Sequence, residues 1–141
     1  GDWKVINSTT SGMLAQVRGM IEKKEWAVFF GWEPHWMTIE FDVKFLKPSE
    51  ESKKIARRKS TVYTILPTGF EKKNPNIYKF FLQFDVKPEV QSYWIHQNGF
   101  KNIPPEEMAK EWIKNNRTIV ERWVQGITTA DGKSAIDAVY N

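Results

Sequence analysis

Two hydrophobic periods alternate along the first half of the chain. Lys4-Val5-Ile6 is a short apolar stretch and predicts a strand. Asn7-Ser8-Thr9-Thr10-Ser11 follows, rich in residues that cap helices. Met13, Leu14, Val17, Met20 and Ile21 then fall on one helical face, which the pattern ends near Lys23-Lys24. Trp26-Ala27-Val28-Phe29-Phe30 is a continuous apolar run and predicts a buried strand. Strand, helix and strand in this order make a βαβ unit. Ile39, Phe41, Val43 and Phe45 alternate with polar residues, as in a half-buried strand, with a short helix as the competing reading of the first half. Ser60 to Leu66 is β-branched and aromatic and stops at Pro67, which predicts another strand.

The second half reads as helices. Asn74-Pro75 opens one that carries Ile77, Phe80, Phe81 and Phe84. Lys87-Pro88-Glu89 opens the next, with Val90, Tyr93, Trp94 and Gln97, and Asn98-Gly99 closes it. Pro104-Pro105-Glu106-Glu107 opens a third, whose apolar stripe is Met108, Trp112 and Ile113. After Asn115-Asn116 a fourth carries Ile119, Val120, Trp123 and Val124. Ala135 to Tyr140 predicts a last turn or two of helix that docks on something. The pattern as a whole is α/β, with a mixed β-sheet flanked by helices.

Composition changes this picture in few places. The 141 residues suit one domain or one lobe of a larger protein, and can bury a core without metals or disulfides. Seven Trp, nine Phe and four Tyr are many for this length, although most buried Trp simply anchor cores. The net charge is +4, and basic residues cluster at Lys53-Lys54 and Arg57-Arg58-Lys59. Glu50-Glu51 precede that cluster, so it reads as a solvated loop or strand flank, and no nucleic-acid motif supports a nucleic-acid partner. With no Cys and only His35 and His96, thiolate and clustered histidine metal sites are excluded, and no cofactor motif is present. No apolar run approaches membrane-spanning length. The chain opens Gly1-Asp2-Trp3 rather than Met, as a processed or trimmed piece would, so the lack of a leader does not argue for the cytoplasm.

The chemistry concentrates at Phe30-Gly31-Trp32-Glu33-Pro34-His35-Trp36-Met37, directly after the second apolar run. Sheet-end turns that display large side chains are where α/β folds place ligands. A quaternary ammonium has no N–H to donate, so it is recognised by the negative faces of aromatic rings, Trp best of all. A carboxylate at the far end of such a ligand wants backbone N–H groups, a helix N-terminus or a histidine. Trp32 is placed to be one wall of such a cage, with Trp32 and Trp36 as core residues the alternative. Glu33 and His35 are near enough to form an acid/base pair, with hydrogen-bonded turn residues the simpler reading.

Gly31-Trp32-Glu33-Pro34-His35-Trp36-Met37, followed by Asp42-Val43-Lys44-Phe45-Leu46, resembles the turn of the glycine betaine/choline-type substrate-binding proteins of ABC transporters. Ser8 to Met13 looks like that family's helix start, and Tyr63-Thr64-Ile65, Gly69-Phe70 and Asn74-Pro75 look like its strand-then-helix segment. Pro105-Glu106-Glu107, Ala109, Trp112, Ile113, Val120 and Trp123 look like its C-terminal helices. The resemblance covers about residues 2–125.

It implies one lobe of a type II periplasmic-binding-protein fold over 1–125, with 126–141 a tail that docks on the other lobe or a partner chain. The implied function is non-enzymatic. A quaternary-ammonium solute such as glycine betaine, proline betaine or choline is captured and delivered to an ABC permease, outside the cytoplasm. In the family the tryptophan of this turn lines the cage, which here is Trp32. His35, Tyr63, Ser8 and Thr10 are further ligand-side candidates, while Gly31, Pro34 and Trp36 support the turn. The family's other half has no match in this chain, neither its Gly-rich carboxylate segment nor its second Trp-bearing loop. The resemblance therefore implies a second lobe, or a second copy of this chain, as partner. Tyr63 stands where the family often has His. Two other classes compete: a Trp-based carbohydrate- or peptide-binding module, with Trp32 and Trp36 on an open face, and an enzyme, with Glu33 and His35 converging on one pocket.

Overall fold

In the computed structural model, residues 3–54 and 59–140 are described. Arg57 and Arg58 of the basic cluster lie outside them. The first helix, α1 (Thr10–Glu22), starts where the hydroxyl-rich run predicts. Thr9 is its cap, and the Thr9 side chain accepts the Gly12 N–H at 3.2 Å. The helix ends at Lys23, and Lys24 adopts a left-handed conformation with φ of 59°. Leu14 and Val17 are buried on its inner face.

They meet Met37 and Phe41, from α2 (Met37–Glu40) and the residue after it. Met13, Phe29, Trp36 and Val43 pack around these four. This is the N-terminal core, and Met37 at its centre is fully buried. The first half of the 38–46 stretch is therefore the short helix rather than a strand. Its helical turn places Met37 and Phe41 on one side, facing α1.

The expected mixed sheet is not seen among the described residues, where the single β contact is an isolated bridge between Thr128 and Ser134. Residues 3–8, 26–34 and 60–66 make no backbone–backbone hydrogen bond with other described residues. The strand-like pattern nevertheless survives in the burial of 26–30. Phe29 and Ala27 are half-buried, while Trp26, Val28 and Phe30 face outward, Trp26 at 87% exposure. Val62 and Ile65 are exposed as well. Alternation and β-branching prepare a segment for a sheet, but a strand exists only when a neighbour takes its N–H and C=O groups. No such neighbour lies beside these segments among the described residues.

The C-terminal half is helical as its pattern predicts. It comprises α3 (Phe70–Lys73), α4 (Pro75–Gln83), α5 (Pro88–Ile95), α6 (Pro105–Asn115) and α7 (Arg117–Trp123). Prolines occupy the first turns of α4, α5 and α6, where a missing N–H costs nothing. Trp112, Val120 and Trp123 form a second buried core, surrounded by Phe80, Val86, Val90, Trp94, Ile113, Ile119 and Tyr140. The indoles of Trp112 and Trp123 stack at 5.4 Å, and Trp123 Nε1 donates to Asp85 O at 3.2 Å. A turn through Gly132 leads into α8 (Ala135–Tyr140). The tail packs back on the helices of this same chain: Tyr140 Oη donates to Ile113 O at 3.2 Å, and Asn76 Nδ2 donates to Thr128 Oγ1 at 2.9 Å. No helix among the described residues is long and apolar enough to cross a membrane.

One element joins the two cores. In α5, Val90 and Trp94 sit one turn apart and point into the C-terminal core. Ser92 lies between them in sequence and so on the opposite face, from which it reaches the aromatic turn. His96 follows one turn later on that same side, at the start of a π-helical turn (His96–Phe100).

Candidate functional site

The turn 31–37 is built from the inside outward. Met37 is its root in the N-terminal core. Trp36 is enclosed by three rings: His35 at 5.2 Å, Phe100 at 5.1 Å and, edge to face, Phe41 at 5.6 Å. A Cβ on Gly31 would meet the Phe45 ring at 3.4 Å, an ordinary van der Waals contact. The Glu33–Pro34 peptide bond is cis. Trp32 lies at the outer edge with 39% of its surface exposed, and its ring meets His35 edge-on at 4.9 Å and 68°.

Three hydrogen bonds fix His35. Its N–H donates to Ser92 Oγ at 3.2 Å, its carbonyl accepts from Thr38 Oγ1 at 3.0 Å, and its Nδ1 accepts the Met37 N–H at 3.1 Å. An imidazole that accepts at Nδ1 carries its proton on Nε2 when neutral. Partial burial lowers the His35 pKa below the ordinary histidine value and favours that neutral form. The turn thus offers an aromatic face and, beside it, one N–H donor that no partner among the described residues uses.

The other candidates stand apart. Tyr63 is 77% exposed, and among the described residues no aromatic contact or hydrogen bond joins it to Trp32 or His35. Ser8 and Thr10 are exposed at the start of α1 and make no hydrogen bond to the turn. Glu33 lines a shallow cavity of about 180 Å³ with Thr38, Ile39, Pro88, Glu89 and Ser92. His35 is not among its walls, so the two do not converge on one pocket. No group of three or more metal-ligating side chains occurs among the described residues.

Sequence reading missed the residues behind the turn. Glu40 accepts from His96 Nε2 at 2.6 Å, and His96 is nearly buried. Phe100 stacks on His96 at 5.3 Å and 13°, and the Arg18 guanidinium lies 5.0 Å from the Phe100 centroid. The available signal was the spacing of Ser92 and His96, one turn apart on the face opposite Val90 and Trp94.

The fold is that of solute-binding proteins, and two solved structures of that class are similar to this chain. One is an ABC-transporter choline binding protein in complex with choline, with a TM-score of 0.73 and 28% identity, covering 99% of this chain and 48% of that one. The other is an ABC-transporter choline binding protein in an unliganded semi-closed conformation, with a TM-score of 0.69, 28% identity, and coverage of 97% and 48%. The chain belongs to the family described as the substrate binding domain of ABC-type glycine betaine transport systems, which it matches over residues 2–115. The glycine betaine/carnitine transport binding protein GbuC of Listeria monocytogenes is 31% identical over 131 residues, 93% of this chain and 42% of that protein. The chain therefore spans about half the length of the relatives it matches.

Proposed function

We propose that this chain is one lobe of a type II binding protein that captures a quaternary-ammonium solute for an ABC permease. The observation that carries this reading is the Trp32–His35 pair at the tip of the turn. The exposed face of Trp32 suits a trimethylammonium group, and the free Nε2–H of His35 suits a carboxylate or hydroxyl at the other end. Relatives named for glycine betaine, carnitine and choline support the ligand class. The family is one of transport binding domains, and the reading needs no covalent chemistry. It places the protein outside the cytoplasm, in the periplasm or at the outer face of the membrane. A carbohydrate platform would need Trp36 open as well, and Trp36 is enclosed.

One ring does not make a cage. The remaining rings and the carboxylate donors belong to a complementary lobe, and the bare segments 26–30 and 60–66 are where its strands would complete this lobe's sheet. A second copy of this chain is the other candidate partner.

Titration calorimetry on the two-lobe protein with glycine betaine, carnitine, choline and a sugar panel tests the reading. Saturable binding of at least one quaternary amine and none of the sugars is expected. Trp32→Ala should weaken it about 2- to 30-fold, the equivalent of ~0.5–2 kcal/mol for one ring. Unchanged affinity would remove Trp32 from the site, and no amine binding at all would reject the function.

A further inference from the structure

We propose that Ser92, His96 and Glu40 form a two-point clamp that positions Trp32, making α5 a beam that ties the ligand-facing turn to the C-terminal core. The proposal rests on the reading of Trp32 as a ligand wall, and none of the three residues touches the ligand in it.

The two anchors straddle the turn. Ser92 Oγ takes the His35 N–H at 3.2 Å on one side, and His96 Nε2 meets Glu40 Oε1 at 2.6 Å on the other. Both side chains leave the same face of one helix, one turn apart, while Val90 and Trp94 fasten the opposite face to the second core. Between the anchors lies Trp36, whose ring rests on Phe100, and Phe100 is stacked on His96. The turn and the helix after it are therefore held at the His35 backbone, at the Glu40 carboxylate and through the half-buried Trp36 indole. Trp32, which contacts His35 edge-on, inherits that placement.

His96 Nε2 faces Glu40 Oε1 at 2.6 Å, and Gln97 Nε2 lies 3.3 Å from His96 Nδ1 on the other side of the ring. A carboxylate only accepts, so the N–H of this contact belongs to His96 Nε2, which makes it charge-assisted and directional. Any buried histidine must pair its ring nitrogens, and here the partner is a carboxylate on the helix that follows the turn. A wall for cation–π capture does need orientation, because the attraction depends on the cation meeting the ring face.

Imidazole and indole ¹⁵N–¹H NMR on the two-lobe protein, with calorimetry using glycine betaine and choline as probes, tests the clamp. In the wild type, His96 should show a proton on Nε2, hydrogen-bonded to Glu40. Glu40→Gln and Ser92→Ala should shift the Trp32 indole resonance in the ligand-free protein and weaken binding about tenfold, with little change in melting temperature. His96→Ala should do the same, and His96→Gln, which keeps an N–H at the Nε2 position, should recover affinity to within about threefold. A His96 Nε2 without a proton in the wild type would overturn the proposal. So would a Trp32 resonance and affinities that stay put in Glu40→Gln, or losses that track only the melting temperature without rescue by His96→Gln. If Trp32→Ala leaves affinity intact while the indole shifts occur as expected, the ligand-wall reading fails and the clamp stands.

Discussion

His35 is where single-residue chemistry is most sharply defined. Its Nδ1 is occupied by the Met37 N–H, so protonation would set a donor against a donor. Burial already lowers its pKa in the folded protein below the usual value of about 6.5. The unfolded chain then binds more protons than the folded one between those two values. The His35 contribution to stability is accordingly constant above the ordinary histidine pKa, falls as pH drops through it, and levels off below the lowered folded value. Urea melts of the wild type and His35→Asn across pH 8 to 4 should diverge in that window. The variant, whose Oδ1 can take the same N–H, should lose the His35 component of the acid sensitivity. Parallel curves would mean that His35 titrates as it does unfolded. The sequence singled out Trp32 and His35 by residue type and spacing alone, because Gly31 to Met37 is local. It missed Ser92, His96 and Phe100, which reach the turn from far along the chain.

At the level of elements, the helices were legible and the strands were not. A helix closes its hydrogen bonds within itself, so caps, first-turn prolines and an apolar stripe suffice to mark it. This is why α1, α4, α5, α6 and α7 fall where the pattern puts them. The stretches 26–30 and 60–66 carry the right side chains for strands but depend on partners that their own sequence does not contain. The aromatic packing of the helical core makes its own prediction. Trp123 is buried against Trp112 and Phe84, and its indole N–H is bonded to Asp85 O. Trp123→Ala should cost ~3–5 kcal/mol in denaturant unfolding, through lost burial and the cavity left behind. A loss below about 1 kcal/mol would show that this core does not govern stability.

For the whole molecule, the bare face is the informative feature. Trp26, Val28 and Phe30 expose a contiguous apolar edge beside a half-buried one. Strands buried on both sides are apolar on both sides, as in sheets covered by helices front and back. We expect Trp26→Ser with Val28→Ser to leave the melting temperature of this chain almost unchanged, within the ~0.5 kcal/mol typical of surface changes. The same pair should abolish assembly with the complementary lobe in size-exclusion chromatography. Destabilisation of the chain alone by more than about 2 kcal/mol would mean that the face is already covered within it.

The sequence by itself determined the helices, the aromatic turn and the family, because each is written in contiguous residues. Tertiary structure decided the rest. It enclosed Trp36 and left Trp32 at the edge, since burial depends on Phe41 and Phe100 arriving from elsewhere. It brought Ser92 and His96 behind the turn, and it left Tyr63, Ser8 and Thr10 exposed with no hydrogen bond to it. It also left the β-rich segments unpaired among the described residues, because a ladder is a property of two segments and the pattern of one cannot supply the other.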